Sequence, residues 1–275
     1  IQYFAGHDTS DAIRIAASIA VATTAASNAC DGELIFATAT GNTNTERMRI
    51  KSDGKIGIAS ASSSPSHLLD ITANDGVSDN NAVARFVNAE ATDGRSKGVY
   101  IRAGSTADDW PLFIDDHDAS NTLLSLRGNG ALTAPKTPAF LARPASDQTN
   151  FAEDSLVTVV LGTEVFDQGS NFASNTFTAP VTGKYQLNVS IYFQDVQIEY
   201  GYYEVLLKTS NRNYNGIFDP ASFDQEATYH TVQVSVLADM DASDTAHVEV
   251  KAEGTGGDAS HDIGTGSYFS GYLAC

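Results

Sequence analysis

Asp239, Asp241 and Asp244 set three carboxylates within six residues, and hard oxygen donors at that density are what a Ca²⁺ ion takes. The same spacing also suits a turn between strands, because aspartate side chains accept from backbone N–H groups a residue or two further on. Both readings stand on sequence alone. Asp115-Asp116-His117-Asp118 offers a second cluster, but neighbours in a strand point to opposite faces, so the four converge only across a bulge and otherwise form a solvated turn. Asp258, His261 and Asp262 lie in a glycine-rich loop at no spacing that zinc uses. The strongest recognition chemistry is aromatic. Tyr200-Gly201-Tyr202-Tyr203, with Tyr214 and Phe218 downstream, combines ring area with hydroxyls and suits sugars or protein surfaces, the alternative use being packing between copies of the chain. Trp110 beside Asp108 and Asp109 is a further contact candidate or a buried core residue.

Catalytic patterns are missing from the sequence. No Gly-x-Ser-x-Gly occurs, the six histidines fall in no triad context, and Gly254-x-Gly256-Gly257 lacks the lysine and helix of a phosphate loop. A pair of carboxylates could serve glycan hydrolysis, but among 34 acidic residues such a pair carries no signal. The expectation is a non-enzymatic protein with no cofactor beyond a candidate Ca²⁺.

The 34 acidic residues against 16 basic give a net charge of −18, which repels nucleic acid and anionic lipid. From Pro138 onward there are 18 acidic and 5 basic residues, so the second half is the more acidic surface. Cys30 and Cys275 stand far apart, leaving no disulfide framework and two expected free thiols. The uncharged stretch 15–30 falls short of the ~20 apolar residues of a spanning helix. Asp8 and Asp11 stand where a signal peptide carries basic residues. The chain begins at Ile1 without Met, the expected mark of a fragment or processed product.

The elements that position these groups read as β throughout. At 275 residues there is room for two domains, and 22 Gly among many Ser, Thr, Asn and Ala favour strands and turns. Turn dipeptides recur at Asp53-Gly54, Asp75-Gly76, Asp93-Gly94 and Asn129-Gly130. Met48 and Ile50 alternate with Arg47, Arg49 and Lys51, predicting one buried and one basic face, which Ile56 and Ile58 resume. Short apolar runs follow at 68–71, 83–87, 99–101, 112–114 and 123–126. Their scarcity of large apolar residues predicts a stalk in which three copies wind together, pairing edges and pooling thin hydrophobic strips. Pro135, Lys136, Thr137 and Pro138 form a stiff connector, dividing a stalk at 1–134 from a head at 139–275.

Residues 32–71, with Phe36 and Thr38, Glu46 to Ile50, Ser52 with Gly54, Gly57 with Ile58, Ser64 with Pro65, and Leu69 to Ile71, resemble a segment of phage tail fibres and related virion adhesins. One departure is Ala59, where that family carries a second glycine. Residues 118–130 resemble the sequel in such fibres, a run of leucines ending in Gly-x-Gly.

In the head, Tyr185, Leu187, Val189, Ile191 and Phe193 hold strict period two, Val232, Val234 and Val236 repeat it, and Val248 and Val250 flank Glu249. At least six strands fit after Ser155, enough for a two-sheet sandwich. Phe177-Thr178-Ala179-Pro180, then Gly183, Tyr185 and Leu187, and finally Tyr268-Phe269-Ser270-Gly271-Tyr272-Leu273, resemble the two ends of the globular head shared by complement first-component q and tumour-necrosis-factor proteins. Phe172 lies closer to Phe177 than that pattern has it. The resemblance implies an all-β jelly roll assembling as a homotrimer, and cation sites known in some such heads bear on the Asp239 cluster. Together the two resemblances imply a virion tail-fibre protein, assembled in the host cytoplasm and acting outside it. It would attach the phage to a bacterial surface receptor, glycan or protein, by multivalent non-covalent contacts. The alternatives are a structural shaft with a trimerising cap joined to other virion proteins, and a glycan depolymerase spike, which would need a long repeated β-helix that the chain lacks.

Overall fold

The computed structural model describes residues 2–7, 13–23, 31–40, 43–59, 64–73, 82–90, 97–255 and 257–275. Cys30 and the Asp75-Gly76 and Asp93-Gly94 turns lie outside them. The chain is all-β, and among the described residues the sole helical element is the 3-10 turn Pro220–Ser222. It divides into two compact units, Ile1–Tyr100 and Ile101–Cys275.

The first unit holds one sheet of six strands in chain order, β1 (Gln2–His7), β2 (Ile13–Thr23), β3 (Gly32–Thr40), β4 (Thr43–Ile50), β5 (Ile56–Ile58) and β6 (Leu69–Ile71). All neighbours run antiparallel except β5 and β6. The uncharged stretch from residue 15 enters this sheet as part of β2. The expected turn at Asp53-Gly54 forms: Gly54 sits at φ 88°, and its N–H donates to the Lys51 carbonyl at 3.0 Å. Ala59 also lies at positive φ, 83°, the left-handed region where a side chain is strained and glycine is not. The residue that departs from the fibre pattern therefore occupies a glycine-type backbone position.

The division of β4 into a buried and a basic face is not what forms. Met48, Arg49, Ile50 and Lys51 are all half-buried, because among the described residues this unit has a single sheet and no second layer to cover one side. Charge is instead neutralised within the sheet. Buried Glu33 accepts from Arg49 and pairs with Lys51 Nζ at 2.7 Å, and Arg49 also pairs with Glu46 at 2.6 Å. Lys51 and then Arg49 hold the Glu33 carboxyl below the usual carboxylate range. A second correction concerns the runs at 83–87 and 99–101, which form no strand. Val83, Phe86, Val87, Val99 and Tyr100 are exposed by 56 to 86%, since strand-forming side chains without a pairing partner make no ladder.

The second unit begins with a small antiparallel sheet of β7 (Leu112–Asp115), β8 (Thr122–Leu126) and β9 (Leu132–Thr133), with Asn129-Gly130 making the second tight turn at Gly130 φ 88°. The sandwich follows. Its strands are β10 (Ala139–Arg143), β11 (Val157–Thr158), β12 (Thr163–Gln168), β13 (Phe172–Ala173), β14 (Thr176–Thr178), β15 (Gly183–Val196), β16 (Tyr202–Thr209), β17 (Asn213–Phe218), β18 (Ala227–Met240), β19 (Thr245–Glu253), β20 (Asp262–Ile263) and β21 (Tyr268–Leu273). One sheet runs β12-β10-β21-β15-β18 and the other β13-β14-β19-β16-β17. Consecutive long strands cross between the sheets so that first and last, β10 and β21, lie side by side, the double Greek-key order of a jelly roll.

Period two in β15 does what it predicts. Tyr185, Leu187, Val189, Ile191 and Phe193 are all at most 2% exposed, each such burial contributing ~1.5–3 kcal/mol before conformational entropy is subtracted. Phe140 lies at the centre of one aromatic cluster, stacked on Phe172 and Phe177 and edge-on to Phe269 at 4.7–5.1 Å between centroids. Gly271 is there for space: a Cβ at that position would stand 2.7 Å from Leu187 Cδ2 and 2.9 Å from Phe140 Cε1. The closing motif of β21 is thus a packing requirement of the core.

Candidate functional site

The five aromatic residues singled out in the sequence do not form one surface. Tyr203 starts an inward-facing phase of β16 and is fully buried; its ring stacks on Phe218 at 5.1 Å and meets Phe193 edge-on. Its hydroxyl accepts from the Gln197 N–H at 3.2 Å, and burial pushes its pKa up to about 12. Tyr200, 1% exposed, donates to Glu153 Oε1 at 2.7 Å, and burial with that carboxylate holds its hydroxyl protonated well beyond the ordinary range. Tyr214 and Phe218 are half-buried against the core. Only Tyr202 faces outward, half-buried, donating to Glu253 Oε2 at 3.2 Å. The strand period separates Tyr202 from Tyr203, and the core claims Tyr200 and Tyr203. These two have no surface to offer a receptor in this fold.

The acidic groups are engaged in structure. Asp239 pairs with Arg212 at 2.8 Å, Asp244 accepts from the Asp241 N–H at 2.8 Å, and Asp241 accepts from the Thr182 hydroxyl at 3.4 Å. This is the closure of the β18–β19 turn, each carboxylate aimed at a different partner. Asp116 organises the β7–β8 turn, accepting from Asn121 Nδ2 at 2.6 Å and from the N–H groups of Ser120 and Asn121, which hold its carboxyl far below the usual range. Among the described residues no three His, Cys, Asp or Glu side chains gather as a metal would need. Trp110 is 43% exposed rather than buried, with Arg127 over its ring at 3.7 Å and Phe113 edge-on at 4.4 Å. Cys275 is exposed and free.

At the loop holding Asp258, His261 and Asp262, the histidine is buried between Phe151, Tyr200 and Tyr203. Its Nε2 lies 3.0 Å from the Phe151 carbonyl, whereas Nδ1 has no partner. That geometry fits the neutral ring donating from Nε2, and burial lowers the imidazole pKa. Gln197 ties the same loop down by donating to Asp258 and Ser260 and accepting from the Asp258 N–H.

What the sequence reading missed is the outer face of the first sheet. The register aligns Ala139, Tyr272, Gln186 and Leu237 across four strands, and one row on, Phe166, Leu141, Ser270, Asn188 and Ser235. Tyr272, Leu237 and Phe166 are 50, 55 and 51% exposed. Between them Gln186, Asn188 and Ser235 bond to one another at 2.8–3.1 Å, so the centre of the face is polar but internally satisfied. Further along, Tyr192 and Tyr229 stack at 5.3 Å. The signal was available: Tyr272 and Leu237 each fall out of phase with the buried residues of their strands, as a surface facing a partner would require.

No protein-family model matches this chain, and no curated protein matches it. Among solved structures it is similar to the globular domain of zebrafish complement 1qA, at 19% identity over 50% of this chain and 98% of that one, with a TM-score of 0.38. It is also similar to murine APRIL, at 12% identity over 50% and 99% with a TM-score of 0.37, and to Eiger TNF from S. frugiperda, at 12% over 50% and 92% with a TM-score of 0.38. The jelly-roll assignment itself rests on this chain's own strand order.

Proposed function

We propose that the chain is a non-enzymatic attachment protein of a phage tail fibre, working as a homotrimer that presents three jelly-roll heads to a bacterial surface receptor. The observation that carries the reading is the outer face of the first sheet. Phe166, Tyr272 and Leu237, each about half exposed, and half-buried Leu141 flank a satisfied polar network, and apolar side chains left open together with internally paired polar groups on one sheet face suit a protein interface. Three copies meeting through it place three heads on one axis, where weak contacts add by effective concentration. The virion setting comes from the fibre-like segment at residues 32–71, and the attachment role from that setting; the receptor, glycan or protein, is met outside the host cell. The carboxylates at Asp239, Asp241 and Asp244 have structural partners, so attachment is taken to proceed without Ca²⁺.

The burial of Tyr200 and Tyr203 favours one second reading, a shaft with a trimerising cap whose partner is another virion protein. The two are separated by incubating fluorescently labelled protein, shown by light scattering to be trimeric, with host bacteria. The attachment reading expects labelled cells and reduced phage adsorption. A folded trimer that does neither would sink it and leave the cap.

A further inference from the structure

Ala139 pairs with Tyr272 near the start of β15, whereas the far end of β15 lies beside Asp262 and Ile263. At that far end three pieces of chain meet around one buried imidazole. His261 is fully buried, with the rings of Phe151, Tyr200 and Tyr203 at 4.1, 4.9 and 5.7 Å between centroids. Its own loop, 257–262, is tied to the segment 148–154 by His261 Nε2 on the Phe151 carbonyl at 3.0 Å, by the Phe151 N–H on the His261 carbonyl at 3.4 Å, and by the Asn150 N–H on Asp262 Oδ1 at 2.7 Å. Gln197 ties the loop to 197–203, donating to Ser260 Oγ at 2.6 Å and accepting from the Asp258 N–H at 2.7 Å. The loop is also pressed down: a Cβ at Gly257 would stand 2.7 Å from Tyr200 Cε2. Ala259 sits at φ 54°, a left-handed conformation that an alanine adopts only while its surroundings hold it there.

We propose that His261 is the pin of an acid-operated latch: a proton taken up at Nδ1 releases the loop 257–262 and the segment 148–154 from this end of the sandwich and uncovers Tyr200, while the two sheets stay folded. The neutral ring needs one acceptor and has it in the Phe151 carbonyl. Among the described residues Nδ1 has no hydrogen-bond partner, so the proton would add a second donor and a charge between aromatic rings, and a buried donor or charge left unpaired is costly. Three carboxylates act on the ring, and each is committed elsewhere in the closed form. Asp258 accepts from Gln197 and Ser260, Asp262 from the Asn150 N–H, and Glu153 from the Tyr200 hydroxyl. From the remaining side come the Tyr200 and Tyr203 hydroxyls, with Glu199 and Glu226 acting on Tyr203. Beyond Tyr203 lies Phe218, against which His230 packs at 4.1 Å. Burial outweighs the carboxylates and holds the His261 pKa down, so the closed form is favoured above about pH 6.5 and loses ground as pH falls below it. The latch lies within one head and works whether or not the chain is an attachment protein.

Hydrogen–deuterium exchange on the full chain at pH 7, 6 and 5, with each rate taken relative to unfolded peptide at the same pH, tests this. An open form whose histidine titrates near the ordinary 6.5, against a closed form that stays neutral, gains population by about 10- to 25-fold between pH 7 and 5. The expected result is that gain at 148–154 and 257–262, with protection at 187–191 unchanged. His261→Gln, which keeps a donor for the Phe151 carbonyl, should abolish the gain, and His230→Gln should leave it in place. No gain in the wild type, or an equal gain in His261→Gln, overturns the proposal. Loss of protection at 187–191 in step with the two loops means that the whole sandwich opens, and overturns it as well. Should His261→Gln fail to fold, an NMR titration of the wild type decides: the His261 ring protons and the amides of both loops must share one midpoint, and separate midpoints overturn the latch.

Discussion

Replacing both Leu237 and Tyr272 with aspartate tests whether the outer face of the first sheet holds copies together. The two residues share a register row, separated by Gln186, and leave 55% and 50% of their surface open in the single chain. That is on the order of 100 Å² each, worth about 2.5 kcal/mol apiece at ~25 cal/mol per Å² if a neighbour covers it, and hence about 5 kcal/mol per copy. The cost in rotational and translational freedom is the same for wild type and variant and drops out of the comparison. Aspartate removes the gain and adds the desolvation of a charge, several kcal/mol more if buried. Since each 1.4 kcal/mol is tenfold, dissociation should strengthen by at least about a thousandfold per interface. Sedimentation velocity and light scattering at micromolar protein should then show monomers, with near-ultraviolet circular dichroism unchanged, because neither side chain enters the core. Ile217→Asp is the control: it is also 55% exposed but lies on the second sheet, and should leave the assembly intact. A double variant that remains trimeric with an unaltered dissociation curve would refute the assignment of this face.

Three further outcomes are expected. Gly271→Ala should destabilise the sandwich by about 1–3 kcal/mol in denaturant unfolding, because the added methyl meets Leu187, Phe140 and the Gln186 carbonyl within 3.0 Å; an unchanged midpoint would mean the strands can part at no cost. Ala59→Gly should stabilise the first unit by about 0.5–1 kcal/mol, as relief of the strain at φ 83° outweighs the added chain entropy, and a lowered melting temperature would count against it. His261 and His230 both have pKa values lowered by burial, so below about pH 6.5 the unfolded chain binds protons that the folded chain does not. Stability contributed by the neutral rings is therefore present above that pH and falls as pH drops from about 6.5 toward the folded values. His261→Gln, which keeps a donor for the Phe151 carbonyl, should flatten the decline seen by urea unfolding between pH 7 and 5, whereas an equal slope in the variant would remove His261 from the account.

The strands most legible in the sequence are those whose burial is settled inside one chain. Tyr185 to Phe193 alternate because one face of β15 meets the opposite sheet, and Phe269 with Gly271 could be matched to a motif because both serve one crowded point of the core. The tyrosines at 200, 202 and 203, one patch in the sequence, part in the fold for a physical reason. Composition shows that a tyrosine cluster is amphipathic, but which ring faces water depends on where β16 begins its phase, and a shift of one residue exchanges Tyr202 and Tyr203.

The outer-face residues and the unpaired runs at 83–87 and 99–101 went unread for a related reason. Leu237, Tyr272, Phe86 and Tyr100 look like ordinary strand residues, and the sequence cannot say that nothing in their own chain will cover them. The structure supplies that missing half. In the sandwich a full two-layer core closes, with Phe166, Tyr272 and Leu237 left open on the outer face of one sheet; in the first unit the described residues form a single sheet, with Ala37 and Pro65 their buried apolar side chains. A chain stable in its head and thin in its first unit needs neighbours most where it is thinnest. The outer face is by contrast a contact that the head's own fold does without, so disrupting it should separate the heads with each sandwich still folded. If the Leu237→Asp/Tyr272→Asp variant lost its sandwich and its assembly in one transition, that independence would be wrong.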